Sequence, residues 1–170
     1  HVANLVDHHR LNKAMSLAVG GSYHAFGVIQ RQLLIKYGLQ PEHYLIDVGC
    51  GSGRLAHALA DYLVKGGYLG TDVVGELLDY ARKRCPAKFH FQLVANNTIP
   101  EQDAQADMVC FFSLFTHILH EESYRFLLET RRVLKPGGKV VFSFLQFFQH
   151  IFSSRLDLDQ LKTLNQQRPI

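Results

Sequence analysis

The chain has 170 residues, of which 47% are hydrophobic and 19% charged, with a formal net charge of +3. This composition suits a single globular domain with one filled core and excludes an intrinsically disordered chain. The charge is too small to call for a polyanion, and the one dense basic run, Arg82-Lys83-Arg84, reads as a solvated helix face; no nucleic-acid partner is expected.

In chain order, residues 22–38 place Phe26, Ile29, Leu33 and Leu34 at helical spacing, and Gly38 stops that helix. HYLIDVG (43–49) is a short buried strand, followed by the helix RLAHALADYLV (54–64). GYLGTDV (67–73) is a second strand, and GELLDYARKRC (75–85) a second helix closed by Pro86. FHFQLV (89–94) and ADMVCFF (106–112) are the third and fourth strands. ESYRFLLETRRVLK (122–135) is a long helix ended by Pro136-Gly137-Gly138. KVVFSFLQFF (139–148) is the fifth strand, and the tail from His150 reads as a helix that frays.

Strand alternating with helix implies right-handed βαβ units: an α/β, doubly wound, mostly parallel sheet with helices on both faces. The whole chain, 1–170, is read as one domain. Residues 1–38 form a helical cap, 43–148 the core, and 149–170 a helix or tail that is cut short. No apolar run reaches the ~18 residues of a membrane span, so no membrane insertion is expected. The start lacks a secretory h-region, and a first residue of His1 rather than Met reads as a piece of a longer product. Cys50, Cys85 and Cys110 are widely spaced with no CxxC, which argues against a disulfide framework and fits a cytoplasmic location.

In a doubly wound sheet, ligands gather at the carboxyl ends of the strands near the point where strand order reverses. LIDVGCGSG, Leu45 to Gly53, lies at such an end. Its glycines turn the chain sharply and let a ligand reach main-chain atoms. The spacing is GxGxG. A dinucleotide site wants GxGxxG, and Arg54 stands where that third glycine would be. A nucleotide-cofactor oxidoreductase is therefore the weaker reading. Asp47 just before the loop is placed to accept from loop N–H groups and to sit near a cationic ligand.

LIDVGCGSG resembles the first motif of the class I S-adenosylmethionine-dependent methyltransferases. YLGTDV, DMVCFFSLFTHI and RRVLKPGGKVVFS resemble that family's later motifs in the same order, over about residues 20–148. The resemblance implies a Rossmann-like core with strand order 3-2-1-4-5 and S-adenosyl-L-methionine as cofactor. It implies that Asp47, Gly49, Cys50, Gly51 and Gly53 surround the methionine half and ribose. Asp72 holds the ribose diol and Val73 packs on adenine; the competing role for Asp72 is capping the next helix. Two departures stand out. Ala95 replaces the acid that relatives carry near the adenine, leaving Asn96 or Asn97 as acceptor. The family's sheet ends in a hairpin after strand five, for which this chain has no candidate, so a missing C-terminal segment or a homodimer is expected to cover that strand.

Relatives hold the methyl beside the exit of strand four, which here reads Ser113-Leu114-Phe115-Thr116-His117. His117 is the candidate general base, since imidazole titrates near neutrality; a structural role at the entry of the next helix competes. Ser113 is assigned to the cofactor and Thr116 to the substrate side. Tyr23 and His24, ahead of the first strand, are candidate lid residues, and Arg54 a candidate partner for the cofactor carboxylate. His117 and His120 lack further clustered ligands, so no metal is expected. The expected function is methyl transfer to a small-molecule or glycan-precursor acceptor, with a non-catalytic cofactor-binding module as the competing class.

Overall fold

A computed structural model describes residues 22–144. The elements are α1 (Tyr23–Lys36), β1 (Tyr44–Val48), α2 (Arg54–Leu59), β2 (Gly67–Asp72), α3 (Gly75–Arg84), β3 (His90–Leu93), β4 (Ala106–Phe111), α4 (His120–Val133) and β5 (Leu134–Phe142). The expected first part of the cap, the end of the fifth strand and the tail lie outside the described residues.

The five strands form one parallel sheet in the order β3-β2-β1-β4-β5. This is the expected order. Strand order reverses between β1 and β4, where Asp47 sits beside Cys110 on one side and Gly70 on the other. Alternation along β1 sends Leu45 into a cluster with Leu34, Leu55, Leu59, Tyr68 and Leu78 under α1, α2 and α3. Ile46 and Val48 go to the opposite face, into a cluster with Val109, Phe111, Phe126 and Val133 under α4. β1, β2 and β4 are buried on both faces, which explains their near-continuous apolar sequence.

Three elements differ from the sequence expectation. The buried face of α1 is Tyr23, Gly27, Gln30 and Leu34, while Phe26 and Ile29 are exposed. A Cβ on Gly27 would lie 2.9 Å from the Arg54 carbonyl oxygen, so this face was set by close backbone approach to α2 rather than by apolar content. α2 ends at Leu59 rather than at residue 64. The Tyr62 N–H turns to the Leu59 carbonyl at 3.0 Å and the Val64 N–H to the Tyr62 carbonyl at 2.8 Å, tightening the chain out of α geometry.

β5 begins at Leu134, before the Pro136-Gly137-Gly138 run that reads as a helix stop. Ala106 pairs with Leu134 and Met108 with Lys139, so the proline and glycines form an irregularity within the ladder. Gly38 does stop α1. With φ at +102° it lets the Gly38 and Leu39 N–H groups reach the Ile35 and Leu34 carbonyls, both at 2.9 Å.

Candidate functional site

The glycine loop between β1 and α2 is tied to the end of β2. The Gly49 and Cys50 N–H groups donate to the Thr71 carbonyl at 2.8 and 3.0 Å, and the Gly51 N–H to Asp72 Oδ2 at 2.8 Å. Gly49, Gly51 and Gly53 all have positive φ, at +78°, +56° and +77°, which side chains with a Cβ adopt at a cost. The other Asp72 oxygen, Oδ1, accepts from the Val74 N–H at 3.0 Å. The N-cap position of α3 is Val74, whose own side chain makes no cap hydrogen bond; Asp72 lies two residues before it and does not occupy the cap. Its carboxylate stands at the strand end between the loop and Val73, whose side chain is 71% exposed.

Asp47 differs from the expectation. Its Oδ2 accepts from the Tyr68 hydroxyl at 2.7 Å and its Oδ1 from the Cys110 thiol at 3.5 Å. The Gly49, Cys50 and Gly51 N–H groups go elsewhere, to the Thr71 carbonyl and Asp72, while the Asp47 side chain points into the core from β1. Burial pushes its carboxyl up to about 6, against the lowering effect of the Tyr68 and Cys110 hydrogen bonds. Cys50, also buried, has its thiol held well above the ordinary value by burial and by the neighbouring Asp47 and Asp72 carboxylates. It is an inert packing group beneath the loop.

α1 grips the loop from outside. Tyr23 is buried, and its hydroxyl donates to the Ser52 carbonyl at 3.1 Å. Its ring meets those of His24 and His57 edge-on, at 5.8 and 6.3 Å. Arg54 is buried rather than turned to solvent, with its guanidinium 5.4 Å from the centre of the Phe26 ring. Room for it comes from Gly27, the glycine that the loop itself lacks at that point.

Beyond β3, the Val94 N–H donates to the Asp72 carbonyl at 3.0 Å, bringing the next loop alongside the strand-two end. Asn96 is exposed, and its Oδ1 accepts from the Thr98 hydroxyl at 2.5 Å. Beyond β4, Ser113 has φ at +63° and its N–H donates to the Ser143 hydroxyl at 2.7 Å. Thr116 Oγ1 donates to the Ser113 carbonyl at 2.8 Å, and His117 is exposed beside it. The β4 exit touches the glycine loop: a Cβ on Gly49 would lie 3.3 Å from Leu114 Cδ1. The loops after β1, β2, β3 and β4 thus meet at the switch point.

The sequence pattern of the methyltransferase domain family matches residues 45–138, which span the glycine loop, Asp72 and the β4 exit. The chain belongs to the methyltransferase domain family. It is 34% identical over 108 residues to a ubiquinone/menaquinone biosynthesis C-methyltransferase of Cupriavidus taiwanensis, covering 61% of this chain and 44% of that protein. It is 33% identical over 130 residues to the ribosomal protein L11 methyltransferase of Geobacillus thermodenitrificans, covering 75% of this chain and 39% of that one. The chain therefore spans less than half the length of these relatives. Among solved structures, a TehB-like methyltransferase from Corynebacterium glutamicum superposes with a TM-score of 0.61 at 19% identity, covering 98% of this chain and 83% of that one. That likeness concerns the fold.

Three further residues support the candidate site from outside its loops. Tyr68 is the donor that holds Asp47. Gly27 admits Arg54. Arg132 reaches from α4 to the loop after β3, where its guanidinium donates to the Ile99 and Glu101 carbonyls at 2.9 and 2.7 Å. The first two have no local sequence signature, since their partners lie on other elements. Among the described residues, no helix of this methyltransferase domain is long and apolar enough to cross a membrane.

Proposed function

We infer that this domain binds S-adenosyl-L-methionine and transfers its methyl group to a small-molecule acceptor. The observation that carries the reading is the Asp72 carboxylate. It stands at the end of β2, linked to the glycine loop through Gly51 and flanked by the exposed Val73. A carboxylate at a strand end can accept from both hydroxyls of a ribose diol, and the positive-φ glycines beside it let a ligand approach the main chain. Gly49, Cys50, Gly51 and Gly53 form the wall for the methionine and ribose parts, Val73 the adenine platform, and Asn96 the polar group at the adenine edge. Asp47 acts from beneath, as a buried negative charge near the loop. The cofactor supplies a sulphonium-activated methyl. The protein aligns the acceptor with it and excludes water, which is where most of the rate gain in such displacements arises. Ser113 and Thr116 shape the acceptor side, and His117 is the proton acceptor for a hydroxyl substrate.

The small-molecule class is supported by relatives named for quinone biosynthesis, including ubiquinone biosynthesis O-methyltransferases. Calorimetric titration with S-adenosylhomocysteine tests the cofactor assignment. Asp72→Ala is expected to weaken binding by about 1.5–3 kcal/mol, the range for a hydrogen bond to a charged group. Equal affinity of wild type and variant would end the ribose assignment.

A further inference from the structure

The loop after β3 carries Asn96 and then returns to β4 through residues 99–105. Its backbone is held by two side chains of α4, Arg132 and Glu129. Arg132 Nε donates to Glu129 Oε1 at 3.0 Å, and Nη2 to Glu129 Oε2 at 2.7 Å and to the Ile99 carbonyl at 2.9 Å. Nη1 donates to the Glu101 carbonyl at 2.7 Å and to Asp103 Oδ1 at 2.9 Å. All five N–H donors of the guanidinium are thereby used, which is its full capacity. Glu129 Oε2 also accepts from the Ile99 N–H at 3.0 Å. The Arg132 carbonyl in turn accepts from the Ala104 N–H at 2.9 Å, while Glu101 receives the Tyr44 hydroxyl from β1. Both ends of the 99–104 segment are pinned to α4, and its middle to β1.

The pinned segment begins one residue after Thr98, which is bonded to Asn96. The same loop opens at Val94, bonded to the Asp72 carbonyl. The stretch 95–98 is thus a short bridge between two fixed points, one at Asp72 and one at the Arg132–Glu129 pair. With three of its four residues exposed, it has little packing of its own to fix its path. Buried contact begins again only at Ile99.

We propose that Arg132, paired with Glu129, is a positioning residue for the cofactor: it fixes the loop that meets the adenine end, from a helix that never touches the cofactor. This rests on the cofactor reading above. The planar fork suits the task, because one group serves two carbonyls and two carboxylates at fixed angles. A lysine has three donors and no fork, so it keeps the charge and loses most of the geometry.

The test titrates S-adenosylhomocysteine and 5′-methylthioadenosine, which keeps the adenosine and lacks the amino-acid end, into the whole chain. Arg132→Met is expected to weaken both ligands by the same factor, on the order of tenfold. Arg132→Lys should fall between it and wild type, a partial rescue that a purely charge-based role would make complete. Arg131→Met, an exposed neighbour on the same helix, should leave both affinities unchanged. Circular dichroism and melting establish which variants are folded. A folded Arg132→Met that binds S-adenosylhomocysteine as wild type does overturns the proposal. If that variant does not fold, wild-type affinity in Arg132→Lys overturns it instead. Loss confined to S-adenosylhomocysteine, with 5′-methylthioadenosine unaffected, places the effect at the wrong end and also overturns it. Wild type that binds neither ligand defeats the cofactor reading itself.

Discussion

At the carboxyl ends of β1 and β2, every loop group that matters has a fixed partner: Gly49 and Cys50 on the Thr71 carbonyl, Gly51 on Asp72, Ser52 on Tyr23. At the carboxyl ends of β4 and β5, Leu114, Phe115 and Ile118 pack inward while several other side chains face outward. His117, Thr116, Phe142 and Phe144 are all exposed, and β5 is an edge of the sheet. The half proposed for the cofactor is tied together by main-chain and Asp72 hydrogen bonds at the strand ends. The acceptor half, within the described residues, is an open surface. A scaffold divided this way can keep one loop network constant while the facing surface varies.

Two glycines allow the comparison to be broken directly. Gly53 in the loop and Gly137 in the β5 irregularity have nearly equal φ, +77° and +81°. A Cβ on Gly53 would lie 2.7 Å from Ala81 Cβ, whereas one on Gly137 meets nothing within 4 Å. Both substitutions to Ala incur the left-handed penalty of roughly 1–2 kcal/mol. Only Gly53→Ala adds overpacking, bringing its total to about 2–5 kcal/mol of stability. Urea denaturation of both variants measures the difference, and equal losses would show that the loop is no tighter than the edge.

The buried Asp47 gives the cofactor side a pH signature. Its folded value of about 6 lies above its ordinary 3.8, so the folded state holds a proton that the unfolded chain releases. Its contribution to stability is therefore fully present below about 3.8 and is lost as pH rises through about 6. Glu129 runs the other way: the Arg132 hydrogen bonds hold its carboxyl below the ordinary 4.5, so its contribution is lost as pH falls. Comparing wild type with Asp47→Asn isolates the first effect. Between pH 4 and 7 the stability difference should move by about 2 kcal/mol in favour of the variant. A difference independent of pH would mean that the carboxylate is not desolvated as its burial implies.

Most of this architecture was legible in the sequence, and the failures have a common cause. β1, β2 and β4 are marked by apolar runs because both faces are buried, and the glycine loop by its spacing. The buried stripe of α1 is not legible in the sequence, because Gly27 and Gln30 carry no apolar signal; their burial comes from the approach of another helix. The donors to Asp47, Tyr68 and Cys110, are 21 and 63 residues away in sequence, so the local pattern points to the loop instead. The Pro136-Gly137-Gly138 run has the local look of a stop, because a ladder that resumes after an irregularity resembles a turn. Sequence periodicity reports the environment of a segment and says little about which distant group meets it.

On the acceptor side, His117 provides the next test. If it removes a proton from a hydroxyl acceptor, His117→Ala should lower turnover about a hundredfold, equivalent to about 2.7 kcal/mol, and leave S-adenosylhomocysteine affinity unchanged. The imidazole stands outside the network that holds the glycine loop, so a fall in cofactor affinity would contradict the division into two halves. An unchanged rate with the natural acceptor would return His117 to a structural role.

The smallest effect is expected at the sheet edge. Phe142 is 42% exposed, and its ring lies 5.4 Å from Phe115 and 6.0 Å from Phe144. Phe111, beside it on β4, is fully buried and stacks on Phe115 at 4.8 Å. The two phenylalanines are register partners on the same face of adjacent strands, so they differ in cover and not in direction. Phe111→Ala should cost about 3–5 kcal/mol, as large-to-small changes in a filled core do. Phe142→Ser should cost under about 1 kcal/mol, because much of its ring is already in water and its removal leaves no enclosed cavity. Chemical denaturation of the two variants at low and high protein concentration separates the outcomes. A Phe142→Ser loss as large as that at Phe111 would mean that the edge is covered in solution. If the loss grows with concentration, the cover is a second copy of the chain; if it does not, the cover belongs to the same chain.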